Sequence, residues 1–340
     1  MGTRSVRVRE PSMNDVARHA GVSSQTVSRV ANGLDNVGES TKERVLASMR
    51  ELGYRPNSAA RALRSGRFRD IGVAMFTLSS YGNMRMLDAI TQAASELGYS
   101  LTLDLMREPT QRAVSGAVTR LLDQGVDGIV MMIEAELTDS AMAELPAGLP
   151  VVVNTSTART DYPVVDGDQA AAGRLATEHL LDLGHRTVWH VPGPVSSYSA
   201  MRRRDAWATT LRAAGREVPE VLQGDWTAES GYRVGLSIAE RDDITAIFAS
   251  NDQMALGLMR ALHEAGKDVP GDVSIVGCDD TTESASYWPP LTTVHQDFEE
   301  QGRQAVHAVV AEIENGPVTP ARILAPVWLV ERSSTGRPRA

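Results

Sequence analysis

A single cysteine, Cys278, occurs in 340 residues. No disulfide can form within the chain, which suits a reducing, cytoplasmic compartment. No run of 18 apolar residues exists, so no membrane-spanning helix is expected. The opening residues, MGTRSVRVREPS, carry charge without an apolar stretch and do not read as a secretory signal. The seven histidines are scattered away from metal-ligand spacing, so neither a metal nor a cofactor is expected. A Gly-rich phosphate loop and a nucleophile elbow are both missing. An enzyme reading would have only Asp279-Asp280 or the His185/His190 pair to start from, and no catalytic residue is assigned. Apolar residues make up 42% and charged residues 23% of the chain, which excludes a disordered polymer. The length calls for more than one domain.

What the chain has is an uneven charge. The net charge is −9, but residues 1–67 hold twelve Lys and Arg against six acids, a net of +6 that leaves −15 for the rest. A basic head on an acidic body is the footprint of a nucleic-acid-binding module joined to something else.

Within that head, Met13–Gly33 reads as helix, tight turn, helix. Val16, Ala17 and Ala20 share one face, and Gly21 stops the first helix because glycine tolerates a positive φ. Ser23 or Ser24 can cap the second helix, whose inner side carries Val27 and Val30. Ser24, Gln25, Thr26, Ser28 and Arg29 point outward, and none is acidic. This is the pattern of a helix-turn-helix with its second helix in the major groove. By itself it equally describes a helical hairpin with a solvated face. A third helix, Val37–Gly53, brings Val45, Leu46, Met49 and Leu52 to close a small core. Pro56 then breaks the chain. Asn57 or Ser58 can cap a helix through Arg64 that is too short to be stable alone. It carries Arg61, Leu63 and Arg64, and reads either as a hinge that folds on DNA with Leu63 wedged in the minor groove or as a linker whose Leu63 docks on the body.

The order D-V-A-x-x-A-G-V-S-x-x-T-V-S-R-V-x-N-G, then T-x-E-R-V-L-x-x-x-x-E-L-G-Y-R-P-N, then A-R-x-L, resembles the LacI/GalR (lactose/galactose repressor) family of bacterial transcription regulators. The body segments look closest to the lactose-repressor branch of that family.

From Asp70 onward, apolar strand runs alternate with amphipathic helices, the pattern of a parallel sheet covered on both faces. The expected strands are 71–76, 99–105, 127–133, 151–153, 164–166, 187–191, 221–223, 246–249, 273–277, 291–294 and 323–330. Helices are expected at 83–97, 110–124, near Ser140, and at 169–183, 199–214, 228–239, 253–265 and 298–315. The fold class is therefore an N-terminal three-helix helix-turn-helix domain plus a hinge helix, followed by a two-lobed α/β body of doubly wound parallel sheets. The resemblance implies that this body is like a periplasmic binding protein, with the C-terminal piece crossing back between the lobes. The expected boundaries are 1–56 for the DNA-binding head and 57–69 for the hinge. The first lobe takes 70–165 with 297–324, and the second takes 166–296 with 325–333. Residues 334–340 are expected as a flexible tail. They show no leucine heptad, so a homodimer is expected.

Ligands of such sheets bind beyond the carboxyl ends of strands, here in a cleft between lobes. A sugar site needs planar polar groups that hold hydroxyls in pairs and an aromatic face for the ring. Arg203, Asn251 and Asp279 lie where strands end. The resemblance implies that Arg203, Asn251, Asp279 and Gln296 hydrogen-bond an effector while Trp226 and Phe298 pack on its ring. Asn251 is alternatively only a helix cap, Asp279 a turn former and Phe298 plain core. Arg202 and Arg204 read as solvated. Phe76–Met86 and Asn154–Asp168 depart from the relatives and are expected to line the other wall, with Asn83, Met86 and Asp168 as candidates.

On the DNA side, the family reads bases from Ser24 and Gln25, with Arg29 reaching a base or a phosphate, and the hinge adds Asn57, Arg61 and Leu63. Gln pairs with adenine and Arg with guanine. The reading is a cytoplasmic, dimeric repressor of carbohydrate-utilisation genes, bound to a palindromic operator in double-stranded DNA and released by a sugar. Its rival within the class is a regulator that answers to a nucleobase co-repressor. A transport binding protein shares the body but lacks reason for a basic head.

Overall fold

The computed structural model describes residues 11–31, 36–55, 66–108, 110–133, 145–156, 162–317 and 321–339. The chain divides into two compact units, Met1–Phe68 and Arg69–Ala340.

In the smaller unit, α1 (Met13–Ala20) opens on a capping box. The Ser12 hydroxyl accepts the Asp15 N–H at 3.4 Å, and the Asp15 carboxylate accepts the Ser12 N–H at 2.9 Å. Gly21 closes the helix at φ 65°. Helix α2 (Ser24–Ala31) is capped by Ser23, whose hydroxyl accepts the Thr26 N–H at 3.1 Å. Helix α3 (Glu39–Leu52) ends at Gly53. Val16, Ala17, Ala20, Val27, Val30, Val45 and Met49 fill the core between the three. Leu46, expected in that core, is 40% exposed. Ser48 takes the inward position, hydrogen-bonded to His19 at 3.0 Å and to the Arg44 carbonyl at 2.9 Å. The buried stripe runs through residues 45, 48 and 49, and residue 46 lies one step of about 100° around the helix.

The larger unit contains two sheets. The first is six-stranded and parallel, in the order β10-β5-β4-β3-β1-β2. Its strands are β1 (Asp70–Met75), β2 (Ser100–Leu105), β3 (Gly128–Met132), β4 (Val151–Asn154), β5 (Val164–Gly167) and β10 (Arg322–Ala325). Residues of period two go to opposite faces. Ile71, Val73, Met75, Val130 and Met132 meet α4 (Tyr81–Glu96) and α10 (Phe298–Asn315). Ala74, Ile129 and Met131 meet α5 (Gln111–Gln124). The second sheet has the order β11-β9-β8-β7-β6. It comprises β6 (Trp189–Val191), β7 (Ala246–Ala249), β8 (Ser274–Asp279), β9 (Thr292–Gln296) and β11 (Val327–Val330). Helices α6 (Gln169–Asp182) and α7 (Tyr198–Ala213) cover one face, and α8 (Ala228–Ala239) and α9 (Asp252–Glu264) cover the other. Only β11 runs antiparallel, an edge strand supplied by the returning chain.

Three segments cross between the lobes: β5 into α6, β9 into α10, and β10 into β11. The last corrects the single strand expected over 323–330. Ala325 pairs with Gly167 in the first sheet and Val327 with Gln296 in the second, because Pro326 between them has no N–H with which to continue a ladder. Residues 221–223 form no regular strand, although Leu222 and Gly224 donate to the carbonyls of His190 and Pro192 at 3.0 Å each. The tail is not loose where it is described. Ser334 is fully buried, accepts the Thr292 N–H at 2.8 Å and donates to the Ile275 carbonyl at 2.6 Å. His185 reaches the Gly336 carbonyl at 3.0 Å. The helix expected near Ser140 lies outside the described residues.

Candidate functional site

The cleft lies where the strands of both sheets end, and its centre is Arg203. Helix α7, opened by Ser197, carries this side chain inward until it is 4% exposed. Its Nε donates to Gln169 Oε1 at 2.8 Å, and Nη1 donates to the Ser250 carbonyl. Nη2 stands 3.9 Å from Asp279 Oδ1, and the guanidinium carbon lies 5.6 Å from the centre of the Trp226 ring. Asp279 also accepts from Gln296 at 2.7 Å, and Gln296 Oε1 accepts from Gln169 Nε2 at 3.0 Å. The second-lobe wall is thus one continuous hydrogen-bonded chain, Gln169–Arg203–Asp279–Gln296, closed on itself. Such a network keeps buried polar groups oriented before anything binds.

Strained backbone holds this wall. Asp279 has φ 120°, Asp280 φ 55° and Trp226 φ 74°, conformations that cost a non-glycine residue of order 1–3 kcal/mol. The fully buried Asp252 carboxylate supports the turn by accepting from the Thr281 N–H at 2.9 Å, Ser284 at 2.6 Å and Thr293 at 2.5 Å. Burial raises its pKa, while those three donors pull it back toward ionisation. Arg332 and His295 hold Asp280 at 2.5 and 2.9 Å. A Cβ on Gly193 would fall inside the Trp226 ring, so glycine there lets the indole lie flat on the backbone.

The first-lobe wall carries Asn83, Met86, Asn154, Asp166, Phe298 and Gln301. Phe298 meets Tyr81 edge to face, with ring centres 6.0 Å apart, and packs on Gly82. Desolvation raises the pKa of Asp166, opposed by hydrogen bonds from Ser156, Gln169 and the Gly167 N–H. Two contacts bridge the lobes. Arg202 Nε donates to the Ser156 carbonyl at 3.1 Å, and Tyr81 hydrogen-bonds the Thr282 side chain.

Of the expected ligand residues, Arg203, Trp226, Asn251, Asp279, Gln296, Phe298, Asn83 and Met86 line this connected space. Asn251 has two tasks: its Oδ1 caps α9 by accepting the Met254 N–H at 2.9 Å, and its Nδ2 donates to the Trp226 carbonyl at 3.0 Å. Asp168 is the correction. Its carboxylate accepts the Ala171 N–H at 2.8 Å and caps α6, so it does not line the cleft. Asp166, Gln169, Gln301 and the bridging Arg202 were not anticipated. Asp166 and Gln169 flank a strand end in Val164-Val-Asp-Gly-Asp-Gln169, a signal of the kind that identified Asp279.

In the smaller unit, Gln25 is exposed on α2, and Thr26, Ser28 and Arg29 are half-buried. Ser24 Oγ donates to Asn14 Oδ1 at 2.6 Å, which ties it to α1. Thr26 meets Ser23 Oγ at 2.9 Å. Asn57, Arg61 and Leu63 lie outside the described residues. Among the described residues no group of three or more acids, histidines or cysteines has metal-binding geometry, and no helix is long and apolar enough to cross a membrane.

Residues 12–57 match the family model for bacterial regulatory proteins of the lacI family, and residues 177–335 match that for a periplasmic binding protein-like domain. The lactose operon repressor of Escherichia coli (strain K12) is 36% identical over 95% of this chain and 90% of its own. The HTH-type transcriptional regulator CelR of Thermobifida fusca is 32% identical over 96% of this chain and 99% of its own. A crystal structure of the lac repressor dimer bound to operator and the anti-inducer ONPF superposes with a TM-score of 0.87 at 35% identity, covering 96% of this chain and all of that one.

Proposed function

Since the chain belongs to the lacI family of bacterial regulatory proteins, we infer that it is a cytoplasmic repressor of carbohydrate-utilisation genes whose hold on operator DNA is set by a sugar in the interlobe cleft. The observation that carries this reading is the buried Arg203, fixed by Gln169 and Ser250 beneath the Trp226 ring and facing Phe298 across the cleft. Planar, pre-oriented donors and acceptors suit adjacent hydroxyls, and aromatic faces suit the C–H side of a sugar ring. Sites built this way reject analogues that leave their polar groups unpaired.

The ligand set is Arg203, Trp226, Asn251, Asp279, Gln296 and Phe298, with Asn83 and Met86 on the opposite wall. Gln25 and Arg29 read bases, Thr26 and Ser28 position the helix, and Asn57, Arg61 and Leu63 act from the hinge. The chain divides into a head at 1–56, a hinge at 57–69 and two lobes, 70–165 with 297–324 and 166–296 with 325–333. It works as a homodimer on a near-palindromic operator. The sugar changes operator affinity because it binds two arrangements of the lobes unequally, and that difference in binding free energy is the coupling. A thermal-shift screen of the full chain against sugars and nucleobases tests the reading. A sugar should raise the midpoint in a concentration-dependent way; stabilisation by a nucleobase alone would replace the sugar with a co-repressor.

A further inference from the structure

The two walls of the cleft differ in how well their polar groups are satisfied. On the second lobe the chain from Gln169 to Gln296 closes on itself. On the first lobe it does not. Gln301, one turn into α10, is 3% exposed, yet its Nε2 has no hydrogen-bond partner. It stands beside Gly167. A Cβ built there would lie 3.1 Å from Gln301 Nε2, 3.1 Å from Gln169 Nε2 and 3.0 Å from Gln296 Oε1. Glycine at 167 therefore leaves room for three amides to converge, and two of them are already paired with each other. Asp166, immediately before it, is buried and lines the same cleft. Buried amide donors are nearly always paired, so a donor left open on a cleft wall marks the place of an absent acceptor.

We propose that Gln301 and Asp166 form a hydroxyl-selecting subsite on the first-lobe wall, in which Gln301 Nε2 donates to an oxygen of the bound sugar and the hydroxyl proton of that oxygen is given to Asp166. The proposal rests on the sugar reading of the cleft and narrows it. A hydroxyl both accepts and donates at one atom, whereas an ether oxygen or a methyl group fails one or both partners. Effectors of this protein therefore keep a free hydroxyl at the end that enters the first lobe. Analogues alkylated or deoxygenated there bind poorly, because the amide stays unpaired in the complex as well.

Gln301→Leu tests this, with Gln301→Met as a second variant and Arg203→Ala as the control for the site itself. The full-length proteins are titrated by calorimetry with lactose, cellobiose, ribose and guanine, and their melting is followed without ligand. Wild type should bind at least one of the sugars, and Arg203→Ala should abolish that binding. Both Gln301 variants should bind it at least tenfold more weakly. Without ligand both should melt at or above the wild-type temperature, because an unpaired buried donor has been removed. A deoxy analogue of the binding sugar that loses affinity for wild type but loses no more for Gln301→Leu then identifies the hydroxyl. If wild type binds a sugar and the Gln301 variants bind it equally well, or melt several degrees lower without ligand, the subsite is wrong and the sugar reading stands. If wild type binds none of the sugars, the reading of the cleft fails and takes the subsite with it.

Discussion

Arg203 donates through Nε to Gln169 Oε1 at 2.8 Å, and the two residues come from helices on opposite sides of a β-strand end. With both side chains buried, the geometry of the guanidinium is fixed before a ligand arrives. Arg203→Lys replaces a planar fork by a point charge that cannot serve Gln169 and the Ser250 carbonyl together. The variant should fold and lose about 2–3 kcal/mol of effector binding, on the order of a hundredfold in Kd. Calorimetry checks this; unchanged affinity would remove Arg203 from the site.

The interlobe bridge from Arg202 to the Ser156 carbonyl offers a separate handle. Arg202→Ala leaves the polar chain around Arg203 intact and removes about 1 kcal/mol from the closed arrangement. Effector affinity should fall roughly fivefold through the closing equilibrium alone. The decisive measurement is the off-rate in stopped-flow Trp fluorescence, which should rise. An off-rate like that of wild type would show that the bridge does not hold the lobes together.

Gly193 sits where a side chain would collide with the Trp226 ring. Gly193→Ala should push the indole off its seat, at an overpacking cost of about 1–3 kcal/mol. Effector binding should weaken and its quenching of Trp fluorescence should change, whereas Gly148→Ala, at an open turn, should leave quenching as it was.

His190 sets a pH dependence. It is fully buried between Phe248 and Trp207, and burial holds it at about 3. The unfolded chain binds a proton near pH 6.5 that the folded chain refuses, so stability is complete above that pH and is lost as pH falls toward 3. The slope is at most about 1.4 kcal/mol per pH unit for this one group. His190→Phe should show a shallower loss of urea stability between pH 6.5 and 4.5 than wild type; parallel profiles would mean that the proton is taken up elsewhere.

Much of this was legible in the sequence, for physical reasons that differ by residue. Strands with no polar alternation mark a parallel sheet, and Arg203, Asn251 and Asp279 follow strand ends, where such sheets bind ligands. Asp166 obeys the same rule but sits in a segment unlike its relatives'. Gln301 was hidden because a glutamine in an amphipathic helix reads as solvated face, and only the crossing of β5 beside α10 turns it inward. Asp168 misled for the opposite reason: an acidic residue next to a strand end is also the best N-cap for the helix that follows. The break at Pro326 shows only once its neighbours are seen to pair with different sheets.

The central claim is that occupancy of the cleft governs the head's grip on DNA. Its most direct test is fluorescence anisotropy of the full-length protein on a near-palindromic duplex selected from a random pool. Titrations at 50 and 200 mM salt are run with and without the sugar that gives the largest thermal shift, for wild type and Arg203→Ala. The basic head predicts a loss of operator affinity on the order of a thousandfold between the two salt concentrations. The sugar should lower wild-type operator affinity at least tenfold and leave Arg203→Ala unmoved. Operator affinity that is the same with and without bound sugar would contradict the account.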